Sequence, residues 1–135
     1  MNAKQSTHAV AKISVHNFEA KPYDQSGSPA LVEISLTETF IGDIDGTSTV
    51  GALQVRHNDG SASMVSLQRF TGRLNGREGT FALQGSEIIE DAKIKATWFV
   101  VPRSGTASLA GLCGNGGFEG EFGKGSDGTL DYWFE

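Results

Sequence analysis

The stretch 31-LVEISLTETFIGDIDG-46 alternates like a β-strand, and one residue breaks its pattern. Val32, Ile34, Leu36 and Phe40 share a face at period two, and Glu38 stands on that same face between Leu36 and Phe40. An alternating strand buries one face and wets the other. An acid on the apolar face is therefore either at a rim, paired with a cation, or held inside for a purpose. GDIDG then closes the strand with turn residues.

Working outward, similar segments follow at short spacing, separated by turn signals, as in a sandwich or barrel of strands. The first spans about 7–18, with Ala9, Ala11, Ile13 and Val15 on one face. KPYDQSGSP (21–29) reads as a loop. A strand over about 47–57 ends at HNDG, and another covers about 61–74. Asn75-Gly76 between two alternating runs is a strong hairpin signal, because both residues accept positive φ cheaply. A fifth strand carries Phe81 and Leu83, and SEIIED (86–91) reads as a turn or one helical turn. The sixth is 92-AKIKATWFVV-101. Residues 102–117 form an irregular connection with one short helical turn near Leu109. GFEGEF (117–122) and TLDYWFE (129–135) are the last two strands.

The expectation is an all-β fold, a closed eight-stranded antiparallel up-and-down barrel forming one domain over residues 1–135. Closure removes exposed sheet edges, and a barrel of this strand number has an interior just wide enough for side chains or one small ligand. A sandwich is the alternative, but it usually needs a long crossover that these short connections do not offer.

Composition bounds the rest. The chain has 135 residues, 38% of them hydrophobic and 20% charged, which suits one globular domain. A net charge of −5 with no basic block argues against nucleic acid or an anionic membrane as partner. No apolar run is long enough to span a bilayer, and the first ten residues lack the apolar core of a secretory signal. Cys113 is the sole cysteine, so no internal disulfide forms, and the expected location is cytoplasmic.

Several stretches resemble a bacterial family known as domain of unknown function 3224. They are KPYD (21–24), TETFIGDIDG (37–46), GREGTFALQ (76–84), ATWFVVPRSGTASLAGLCGNGGFEG (96–120) and LDYWFE (130–135). The resemblance implies a closed eight-stranded barrel similar to allene oxide cyclase, an enzyme that guides ring closure of a reactive fatty-acid epoxide in an apolar cavity. It implies no particular activity, since one barrel serves many functions. Relatives often carry a histidine where this chain has Gly85 and a basic residue where it has Cys113.

Glu38 is the leading candidate for catalysis. Burial disfavours its charged form, and a carboxyl tuned towards neutrality suits proton transfer, stabilisation of a developing cation, or anchoring a polar ligand head. The plainer reading is a rim glutamate in contact with water, or one paired with Arg69, which shares a face with Val65 and Leu67. Phe40, Trp98 and Tyr132, with Phe134, fall on inward faces and either fill the core or line a ligand cavity. Ala9, Ala11, Gly51, Ala92 and Ala96 are small inward residues that leave room. Gln54 and Gln68 either orient a ligand or lie on the surface.

The histidines give no metal site: His8 and His16 stand roughly 27 Å apart at strand rise, and His57 lies at a hairpin end. DIDG has the wrong spacing for a calcium loop. Cys113 reads as an unactivated loop thiol. No cofactor motif is present.

Three functions follow. The chain binds a small, mostly apolar molecule; or it is an isomerase or cyclase of a reactive hydrophobic substrate, with Glu38 as acid, base or electrostatic stabiliser; or it is a filled structural barrel acting through a homo-oligomer interface. For the last, Val10, Phe18, Phe99, Val101 and Trp133 sit on the outward parity.

Overall fold

The computed structural model describes residues 5–121 and 124–135. The strands are β1 (Thr7–Asp24), β2 (Ala30–Gly42), β3 (Ile44–Arg56), β4 (Ala62–Leu74), β5 (Arg77–Glu90), β6 (Lys93–Val100), β7 (Leu112–Glu121) and β8 (Ser126–Phe134). Each pairs antiparallel with the next. β8 returns to β1 through the register Thr7↔Tyr132 to Ile13↔Ser126, which closes the barrel.

Turn chemistry sets the register where the sequence says it should. Asn75 and Gly76 both have positive φ and join β4 to β5 in two residues. The β5–β6 turn was not legible as such. β5 continues through 86–90, where a turn was expected, and reverses at Asp91-Ala92, both in the left-handed region. An aspartate tolerates that region and an alanine does so at a cost, which is why composition gave no hairpin signal here. β1 also runs further than expected. Lys21, Pro22 and Asp24, read as loop, pair with Glu33, Val32 and Leu31 of β2 across a bulge after His16. Beyond Ile13 this strand has lost its β8 partner, so Pro22 sits where no ladder bond on that side is missed.

The connection at 101–111 contains one 3-10 turn, Ala107–Leu109, as anticipated near Leu109. It covers the part of β5 that β6 leaves unpaired: Thr106 N–H donates to the Thr80 carbonyl at 2.9 Å, and Ala82 N–H donates to Ser104 Oγ at 3.0 Å. Leu109 and Leu112 are thereby driven into one end of the lumen and fully buried.

That end is packed solid. Phe40 meets Phe70 edge-on at 5.4 Å between centroids, Phe70 lies 5.0 Å from Phe81, and Trp98 lies 6.2 Å from Phe40. Trp98 Nε1 donates to the Thr129 carbonyl at 3.0 Å, and Asn75 Nδ2 donates to the Tyr132 hydroxyl at 2.7 Å, so both polar aromatics are satisfied. Gly46 and Gly72 face each other across β3 and β4. A Cβ on either would strike the opposite backbone at 2.2 Å, and their absence leaves the space that the Phe70 ring approaches. Outside, Leu53, Val65, Leu67 and Ile88 are exposed, as are Val10, Phe18 and Phe99, while Val101 and Trp133 are half-buried. Among the described residues no helix is long and apolar enough to cross a membrane.

Candidate functional site

The opposite half of the lumen is hollow. Its inward positions on β2 to β5 are occupied by Leu36 and Glu38, Val50, Ala52 and Gln54, Met64, Ser66 and Gln68, and Glu87 and Ile89, at the same period two that supplies phenylalanines lower down. Around them lies a cavity of about 520 Å³. Ile94 of β6 and Phe118 of β7 continue the wall beside this stripe as an apolar part. Ser14, Val15 and Phe18 of β1, with Glu121, Gly125 and Ser126, frame the seam where β1 has parted from β8.

Two carboxylic acids sit inside. Glu38 is only 7% exposed and Glu87 only 2%. Glu87 Oε2 accepts a hydrogen bond from Ser66 Oγ at 2.7 Å, and a neighbouring bond runs from Ser48 Oγ to Gln68 Oε1 at 2.6 Å. Oε1 of Glu38 and Oε1 of Glu87 are both buried without a hydrogen-bond partner among the described residues. Burial, reinforced by the nearby Glu87 charge, pushes the Glu38 carboxyl up from 4.5 to about 7. Burial also raises Glu87, against the opposing effect of the Ser66 hydroxyl. Gly85 makes the pair possible: a Cβ there would lie 2.5 Å from Glu87 Oε2 and 2.8 Å from Ser66 Oγ.

The candidate residues named from sequence divide cleanly. Glu38, Gln54 and Gln68 are brought together on the cavity wall, and both glutamines are buried although surface placement was the favoured alternative. Phe40, Trp98 and Tyr132 belong instead to the packed cluster in the other half and do not line the cavity. Arg69 is not the partner of Glu38. It points outward with Val65 and Leu67, which are 58% and 60% exposed, because the inward parity of β4 is that of Ser66, Gln68 and Phe70. Two small residues expected inside are elsewhere: Gly51 is on the outer face of β3 and Ala92 is in a turn. Phe18, assigned to an outer interface, stands at the cavity mouth.

Glu87 was missed. The signal for it existed, since Phe81, Leu83, Gly85, Glu87 and Ile89 form one unbroken period-two series. The acidic composition of SEIIED concealed it as a turn. Ser66 was missed for the related reason that a serine on an inward parity carries no hydrophobic signal.

A larger depression of about 1040 Å³ lies on the outside, among residues of β5, β6 and β7. Its facing ions Lys95 and Glu119 are 3.6 Å apart and both well exposed, so it offers a solvated ion pair rather than an enclosed site.

The profile of the family described as "Protein of unknown function (DUF3224)" matches residues 9–135. The chain belongs to this family. A crystal structure of a family member of unknown function from Shewanella oneidensis MR-1 superposes with a TM-score of 0.79 at 27% identity, covering 97% of this chain and 98% of the other. No curated protein matches the chain. The family and the barrel expected from the sequence are thus established, and no activity comes with either.

Proposed function

We propose that this protein binds a small, mostly apolar molecule in the hollow half of its barrel, with the polar end of the ligand against Glu38 and Glu87. The observation that carries the reading is the cavity of about 520 Å³ walled by two buried carboxyls whose Oε1 atoms lack partners. Its volume falls in the range of ordinary small-molecule pockets, roughly 300–1,000 Å³. A buried polar atom left unpaired is costly unless something completes it, and a ligand head would do so. The lone thiol, Cys113, supports a cytoplasmic setting for this activity.

A filling substitution tests the reading. Ala52 lines the cavity and is buried. The wild type is expected to take up one neutral apolar fluorophore such as N-phenyl-1-naphthylamine, with a blue-shifted emission, and Ala52→Phe to abolish the uptake while keeping the strand signal in circular dichroism. Unchanged uptake by Ala52→Phe would remove the interior as the site.

A second reading is an isomerase or cyclase. It is favoured by a carboxyl ionising near neutrality beside another carboxyl, an arrangement suited to taking a proton from one position of a hydrophobic substrate and returning it at another. Loss of turnover in Glu38→Gln with ligand uptake preserved would mark this chemistry; uptake and turnover both unaffected would dismiss it.

A further inference from the structure

Among the described residues the only hydrogen bond to either acid is the one Ser66 donates to Glu87. The Ser66 hydroxyl proton is given to Glu87, the Ser48 proton to Gln68, and Arg56 Nε to Gln54 Oε1 at 2.8 Å. Arg56 is the basic residue lining the cavity, and its Nε bonds to that glutamine rather than to either acid. Neither Glu38 nor Glu87 forms an ion pair with a Lys, Arg or His among the described residues. Two buried carboxyl oxygens therefore wait for N–H or O–H groups that the protein does not supply. The rest of the wall includes hydrocarbon and ring, from Ile94 and Phe118 on the next strands with Leu36 and Ile89 on the strands of the acids.

Building on the ligand-binding reading, we infer that the ligand class is an amphiphilic amine, its ammonium held between Glu38 and Glu87 and its apolar body against Ile94 and Phe118. An ammonium brings three donors and a positive charge, so it satisfies both orphan oxygens and offsets the buried negative charge that nothing else offsets. One ammonium beside two carboxyls, one of them protonated, leaves the site neutral. A ligand carboxylate or phosphate meets repulsion from the same pair, and an alcohol brings only one donor.

The test compares three ligands of one tail length, n-decylamine, n-decanol and n-decanoate, by displacement of N-phenyl-1-naphthylamine from the wild type and from the double variant Glu38→Gln/Glu87→Gln. Decylamine is expected to bind at least about tenfold more tightly than either analogue, a preference the double variant loses while retaining decanol. In the wild type, the decylamine affinity should rise between about pH 5 and pH 8 as the carboxyls release protons, because an alkylammonium stays charged to about pH 10. Decanol affinity should stay flat over that range. The other ionisable groups lining the cavity are Arg56 and Glu121. Glu121 is an exposed residue that Glu121→Gln controls for. Equal binding of amine and alcohol, or an amine preference that survives in the double variant, would overturn the inference and leave the ligand-binding reading intact. Failure of all three ligands to displace a bound fluorophore would overturn the inference alone, and failure of the fluorophore itself to bind would end both. If the double variant does not fold, a wild-type affinity for decylamine that does not change with pH overturns the inference by itself.

Discussion

The two halves of the barrel share their strands, their alternation and their closure, yet one is solid and the other hollow. On β2 the inward series passes from Glu38 to Phe40 in one step; on β4 it passes from Gln68 to Phe70, and on β5 from Gly85 through Leu83 to Phe81. Each switch is a change of side chain with no change of backbone. The aromatic half has closed ring contacts and satisfied polar atoms. The other half mixes aliphatic side chains with small and polar groups around an open volume, and it leaves two carboxyl oxygens unpaired. The lesson is that close packing and buried polarity have been separated along one axis: the half below Phe40 holds the barrel shut, so the half above can tolerate acids that destabilise it.

The largest expected effect breaks the packed half. Phe70→Ala removes a fully buried ring from contact with Phe40 and Phe81, and should cost about 3–5 kcal/mol in urea unfolding. Leu36→Ala, trimming a half-buried residue already beside empty space, should cost well under half as much, since little new cavity is created. Equal costs would mean that the two halves are packed alike.

Next comes the pH dependence of the hollow half. Glu38 is held near 7 when folded against 4.5 when unfolded, so the native chain binds more protons between those values. The stability that this group confers is present in full below about pH 4.5 and is lost as pH rises to about 7. Glu38→Gln should therefore match the wild type at pH 4.5 and exceed it above neutrality, by at most on the order of 3 kcal/mol. Unfolding curves at the two ends of that range read the difference directly.

Two smaller effects sharpen the contrast. Gly85→Ala pushes a methyl into the Glu87 carboxyl and the Ser66 hydroxyl, and should cost about 1 kcal/mol because the carboxyl can swing aside. It should also shift the titration of the acid pair. Arg69→Gln, on the outer face, should stay within about 0.5 kcal/mol of the wild type and leave that titration unmoved.

Much of this was legible in the residues. Strand alternation, Asn75-Gly76 and the short connections specified a closed barrel, and the misfit of Glu38 pointed to the interior. What failed was phase and context. Val65 and Leu67 are apolar yet face outward, so the parity that includes Arg69 looked like a core parity, and a salt bridge was expected where a second acid stands. The strand through Glu87 was hidden by its own polarity, since an inward acid and an inward glycine erase the hydrophobic period. The division of the lumen was also out of reach. Whether Phe40 and Trp98 line a cavity or plug it depends on which residues of other strands lie at their height, and that is a property of the barrel stagger rather than of any one segment.

The most direct test is a carbon-13 NMR titration of the glutamate side-chain carboxyls in the wild type and in Glu87→Gln. In the wild type the Glu38 carboxyl should titrate near 7. Removing the Glu87 charge should lower that value while leaving it above 4.5, because burial is the larger cause. A Glu38 that titrates at 4.5 in both proteins would place its carboxyl in water and contradict the hollow, acid-lined interior.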